Sequence, residues 1–155
     1  MTEDQNNPKQ YKPRSFRNSL KWEGGRRWLI TGESGVTTNG GPPPSLGRLE
    51  DHFSPEDLML ASVNSCNLAA FIGFCRRKRF EFISYECSIE GVLEFNGETF
   101  EFTRMILRPK IEINSEEDIS LVRQYIRRAH ELCFMSNSVK AEVIVEPEIT
   151  VVKEP

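Results

Sequence analysis

Four cysteines carry the widest chemistry open to this chain: Cys66, Cys75, Cys87 and Cys133. As thiolates they attack electrophiles, ligate metals and exchange disulfides. No pair has CxxC spacing, which removes both a thioredoxin-type dithiol and a zinc ribbon. A buried cysteine is otherwise a small hydrophobe. Cys75, near a helix end beside a basic cluster, and Cys87, on the apolar face of a strand, read that way. Cys66 and Cys133 each fall on the inward stripe of a helix, beside small polar residues. Two readings stand for them: packing, or a redox pair if their Cα atoms come within ~7 Å. His130, three residues before Cys133, and His52, just before the first helix, are candidate bases for a thiol. A surface imidazole is the plainer reading of His130. No carboxylate–histidine cluster marks a metal site, and no glycine loop fits a phosphate.

The element that must hold Cys66 runs from Ser54 to Arg79, SPEDLMLASVNSCNLAAFIGFCRRKR. Ser54 is a good N-cap, Pro55 suits the first helical position, and Glu56 and Asp57 face the positive end of the dipole. Arg76 to Arg79 close it with positive charge. No charge falls between Leu58 and Cys75, and a helix apolar all round is expected inside a protein. The second helix, capped by Asn114 or Ser115 and opened by Glu116, Glu117 and Asp118, has its apolar stripe at Ile119, Val122, Ile126, Ala129 and Cys133. Cys133 is thereby placed at its very end.

Strands frame both helices. Phe16, Asn18, Leu20 and Trp22 alternate with polar residues as a half-buried strand, Gly24 and Gly25 turn the chain, and Trp28 and Ile30 continue a second. Three prolines, Pro42 to Pro44, form an extended loop, with a short third strand expected around Leu46 to Leu49. After the first helix, Tyr85 to Phe95 alternate as a strand, Asn96-Gly97 signals a hairpin, and the return strand spans roughly Thr99 to Ile113. That length implies a bend or a bulge. A last strand alternates through Val143, Val145, Ile149 and Val151, with Pro147 favouring a sheet edge. The class is α+β, in the order β-β-β-α-β-β-α-β.

Bulk properties narrow the partners. At 155 residues the expectation is one domain, Ser15 to Pro155, behind a loose polar tail from Met1 to Arg14. A net charge near −3 argues against a general nucleic-acid binder. The polar N-terminus gives no secretory signal. The apolar run of about 18 residues falls short of the ~20 a bilayer needs, and Ser62, Asn64, Ser65 and Asn67 interrupt it, so no membrane role is expected. Sparse cysteines fit a cytoplasmic location with reduced thiols.

SPEDLMLASVNSC resembles the helix of the OsmC/Ohr family, osmotically inducible protein C and organic hydroperoxide resistance protein, with Pro-Glu near the helix start and a cysteine ten residues after that glutamate. HELCFMSNSVKAEV resembles the second family signature, a cysteine at a helix end followed by a Ser-containing turn and the last strand. The GGRRWLITGESG hairpin and the FTRMILRPKI strand also fit, and the resemblance spans roughly Ser19 to Val151.

The resemblance implies an OsmC-like fold, an intertwined homodimer and a thiol peroxidase acting on organic hydroperoxides. By analogy Cys66 is the peroxidatic thiolate and Cys133 the resolving thiol. Glu56 matches the family glutamate that holds an activating arginine. That arginine lies in the first hairpin, where Arg26 and Arg27 both stand; the period-two alternation from Trp28 favours Arg26. An arginine is needed because burial raises a thiol's pKa, and a carboxylate holds its guanidinium in place. Leu58, Met59, Phe71, Phe134 and Met135 would favour a greasy peroxide. No cofactor is implied, since sulfur's own oxidation carries the electrons, and the reductant would be a lipoylated or small dithiol.

Spacing adds one constraint. Residues ten apart on an ideal helix are ~15 Å apart along its axis, so Glu56 reaches Cys66 only if the helix breaks near Ser62 or a second chain mediates. Two other classes compete: a binding protein holding a small hydrophobic ligand at the dimer interface, and an enzyme using Cys66 on other electrophiles.

Overall fold

The prolines and glycines of the first 55 residues decide where its strands lie. A computed structural model describes residues 11–47 and 50–152. The expected N-terminal tail falls mostly outside the described residues. By internal contacts the chain forms two units, one ending at Pro55 and one beginning at Glu56.

The first unit is an antiparallel meander of β1 (Asn18–Gly24), β2 (Arg27–Gly32) and β3 (Thr37–Gly40). Gly24 and Gly25 make the first turn with φ of 102° and 55°, a left-handed backbone that side chains disfavour. Trp28 pairs with Gly40, and a Cβ there would lie 1.9 Å from the indole nitrogen, so only glycine admits the ring. The third strand thus precedes the prolines, not the Leu46 to Leu49 region expected. Pro44–Leu46 is instead a 3-10 turn, and positions 48 and 49 lie outside the described residues. The prolines have no N–H for a ladder, whereas Thr37 and Thr38 are β-branched and pair with Thr31 and Ile30. β1 is not half-buried: Leu20 and Trp22 are 61% and 68% exposed.

The second unit begins with α1 (Pro55–Lys78), then β4 (Ser84–Phe95) and β5 (Phe100–Ile113). These strands pair antiparallel, with a bulge where Val92 pairs with Arg104 and Leu93 with Phe102, leaving Thr103 as the extra residue. Asn96 orders the hairpin turn, its Oδ1 accepting from the N–H groups of Glu98 and Thr99 at 3.0 Å. A 3-10 turn (Glu116–Asp118), capped by Ser115, leads into α2 (Ile119–Glu131). The expected single last strand is two, β6 (Glu142–Val145) and β7 (Glu148–Val151), each parallel to β5. Pro147 separates them, since it can donate nothing to the ladder.

One face of β5 organises the core. Met105, Leu107, Pro109, Ile111 and Ile113 alternate inward and are fully buried. Val63 of α1 packs with Met105 and Leu107; Phe71 and Cys75 pack with Ile111, Ile113, Val122 and Ile126. Each such side chain contributes roughly 1.5–3 kcal/mol by burial. The expectation that α1 is enclosed on all sides is corrected. Only Val63, Asn67, Phe71 and Cys75, four residues apart, are buried, and Met59 and Ile72 stay exposed. By length and composition α1 is apolar enough to cross a membrane. Its polar residues are nonetheless used inside the fold: Asn64 donates to the Cys87 carbonyl at 3.1 Å, and Asn67 to three acceptors described below.

Candidate active site

α1 places Cys66 midway along its length, beside the buried stripe rather than on it, and the thiol is half-buried instead of enclosed. The chain leaves α2 through Leu132 and turns, bringing Cys133 to full burial. The Cys66 and Cys133 side chains interact, and the backbones of Met135 and Phe134 also act on the Cys66 thiol. Both cysteines are free thiols.

Burial pushes the Cys66 thiol above its ordinary value; the Met135 N–H pulls it down, while Cys133 pushes it up again through a hydrogen bond and charge repulsion. Burial pushes Cys75 up to about 11 and raises Cys87 as well, which makes both poor nucleophiles at neutral pH.

Cys133 sits in a cradle that sequence reasoning missed. Asn67 Nδ2 is 3.3 Å from Cys133 Sγ, 3.0 Å from Ser136 Oγ and 2.9 Å from the Val63 carbonyl. The carbonyl only accepts, so the amide nitrogen must face it, and this fixes which way the Asn67 amide points. The Ser136 N–H donates to the same sulfur at 3.3 Å. A polar residue four positions after Val63 and four before Phe71, in an otherwise apolar stripe, was the available signal.

Other expected residues stand elsewhere. α1 is continuous, so Glu56 lies about 15 Å along its axis from Cys66. It lines a cleft of about 430 Å³ with Met59, Leu93, Phe100, Phe102 and Lys140, and its Oε2 is enclosed without a hydrogen-bond partner among the described residues. Arg26 and Arg27 are exposed, Arg26 donating to the Gly47 carbonyl at 3.3 Å within its own unit. Phe71 belongs to the core rather than to a substrate wall, and Phe134 is largely exposed. His130 is not a surface imidazole: it is half-buried, its Nδ1 enclosed and without a partner among the described residues, and it lines a groove of about 980 Å³ between α2 and β6 that no cysteine lines. His52 is engaged by the Pro42 and Glu50 carbonyls at 3.2 and 3.4 Å. Among the described residues no group of three or more His, Cys, Asp or Glu side chains is placed to hold a metal.

Residues 48–148, which include α1 with Cys66 and the turn after α2 with Cys133, match the family model of the OsmC-like protein. The chain belongs to the OsmC-like family. Solved structures share this fold. An OsmC-like protein of unknown function from Vibrio cholerae superposes with a TM-score of 0.79 at 22% identity, over 87% of this chain and 99% of that one. An organic hydroperoxide resistance protein from Elizabethkingia anophelis gives 0.70 at 17% identity, over 92% and 100%. One from Legionella pneumophila gives 0.68 at 20% identity, over 91% and 100%. No curated protein matches the chain. The OsmC-like fold and the α+β class expected from sequence are what is found.

Proposed function

We propose that this OsmC-like protein is a cysteine-based peroxidase that reduces organic hydroperoxides. Cys66, as thiolate, attacks the outer oxygen of the O–O bond; the alcohol leaves and a sulfenic acid remains. Cys133 then attacks that sulfur, water leaves, and a Cys66–Cys133 disulfide forms. A dithiol, lipoylated or small, returns both thiols. The observation that carries this reading is the interaction between the Cys66 and Cys133 side chains, which joins α1 to the turn after α2.

Activation of Cys66 needs positive charge, because burial and Cys133 both raise it. Arg26 is the proposed source, with Arg27 the alternative. Glu56, whose enclosed Oε2 lacks a donor among the described residues, would hold that guanidinium through a second copy. A homodimer is supported by the uncovered apolar side chains of β1 and α1, and the cytoplasm is the compartment that suits reduced thiols.

The raised thiol favours a second reading, a non-catalytic protein holding a small hydrophobic ligand at the dimer interface. One experiment separates them. Stoichiometric cumene hydroperoxide should remove two hydrogens per chain by intact mass, with peptide mapping to Cys66 and Cys133. An unchanged mass supports binding instead.

A further inference from the structure

We propose that Asn67 is the positioning residue of the redox pair: its amide, with the Ser136 N–H, holds the Cys133 sulfur in place and receives its charge when the disulfide is opened. The inference rests on the disulfide cycle proposed above. Asn67 is only 6% exposed, and Cys133 has no exposure at all. A buried polar amide on a helix stripe otherwise built from Val63, Phe71 and Cys75 is costly unless its hydrogen bonds are made. Here its two N–H groups are shared among the Val63 carbonyl, Ser136 Oγ and Cys133 Sγ, all within 3.3 Å of Nδ2. Two N–H donors aimed at one sulfur that is closed to solvent stabilise the negative charge that develops on it as the S–S bond breaks.

The arrangement assigns direction to the reductive half. A dithiol enters as thiolate and attacks Cys66 Sγ, since Cys66 is half-buried while Cys133 is closed to solvent. The S–S bond breaks, and its electron pair passes to Cys133 Sγ, where the Asn67 and Ser136 N–H groups meet it. The second thiol of the reductant, deprotonated, closes on its own sulfur bound to Cys66. The cyclic disulfide leaves, with the electron pair on Cys66. Two electrons pass to the protein, and the two protons of the dithiol return one to each cysteine.

The test forms the disulfide with diamide, so peroxidase activity is not needed, and equilibrates it in dithiothreitol redox buffers. Compared with wild type, the disulfide of Asn67→Ala should be about tenfold harder to reduce, which corresponds to ~30 mV for two electrons. Asn67→Asp, of the same size, should be harder still, and its deficit should grow as pH rises and the carboxylate ionises. A monothiol trap should leave the mixed disulfide on Cys66. Constants within twofold of wild type in both variants, or a mixed disulfide on Cys133, would overturn the assignment. If diamide forms the disulfide but peroxide does not, the peroxidase reading fails and these constants still decide the role of Asn67. If diamide forms no Cys66–Cys133 disulfide, both fail.

Discussion

Glu56 and Cys66 stand on one unbroken helix, ten positions and about 15 Å apart along its axis. Ser62, where a break was conceivable, bonds back to the Met59 carbonyl at 2.7 Å without interrupting the helix. Any service of this glutamate to the thiol therefore runs through other residues. Its Oε2 is enclosed with no donor among the described residues.

Iodoacetamide labelling of Cys66 against pH tests that relay. In Arg26→Ala the profile should move to higher pH, because burial and Cys133 then raise the thiol unopposed by a guanidinium. Glu56→Gln should shift it less, loosening the cation without removing it. Three superimposed profiles, with Arg27→Ala also unchanged, would reject hairpin activation.

The four cysteines should behave unequally in peroxide consumption. Cys66→Ser should abolish it. Cys133→Ser should allow one oxidation and then stall as an overoxidised species or mixed disulfide. Cys75→Ser and Cys87→Ser should turn over near the wild-type rate. Equal loss in all four would report destabilisation rather than chemistry.

Light scattering at micromolar concentration should return twice the 17.8 kDa chain mass. Leu20, Trp22 and Met59 are uncovered in the single chain, and apolar surface of this kind favours association. A monomer would remove the support for a second copy holding the arginine.

Cys75 gives stability a pH signature. Its folded value of about 11 exceeds the ordinary 9.0, so the folded chain keeps a proton that the unfolded chain loses. This contribution is complete below pH 9 and is lost as pH rises to about 11. The urea midpoint difference between wild type and Cys75→Ala should narrow across that window. A constant difference would contradict the burial of this thiol.

At Gly91 the sheet leaves no room for a side chain beneath Leu60 of α1. A Cβ there would meet Phe102 at 2.6 Å and Leu60 at 2.8 Å. Gly91→Ala should cost about 1–3 kcal/mol in urea unfolding, by overpacking. An unchanged midpoint would mean that helix and strand separate freely at this point.

Local chemistry alone determined much of this protein. Ser54, Pro55 and the Arg76 to Arg79 run bound α1 within a residue, because caps and dipole charges act through neighbouring atoms. The β4–β5 hairpin and its bulge follow from period-two alternation, Asn96 and an over-long return strand. The two motifs that carry the family resemblance are likewise contiguous, which is why the family was legible before the fold.

Tertiary structure decided the rest. An apolar helix without a polar face does not state which stripe turns inward; on β5, Met105 and Leu107 take Val63 while Ile111 and Ile113 take Phe71 and Cys75, leaving Cys66 to one side. The contact between Cys66 and Cys133 joins segments separated by two strands and a helix, so it depends on packing that no local period encodes. The cradle of Asn67 and Ser136 around Cys133 is of the same kind. Its hydrogen bonds exist only once α1 and the turn after α2 meet above the sheet.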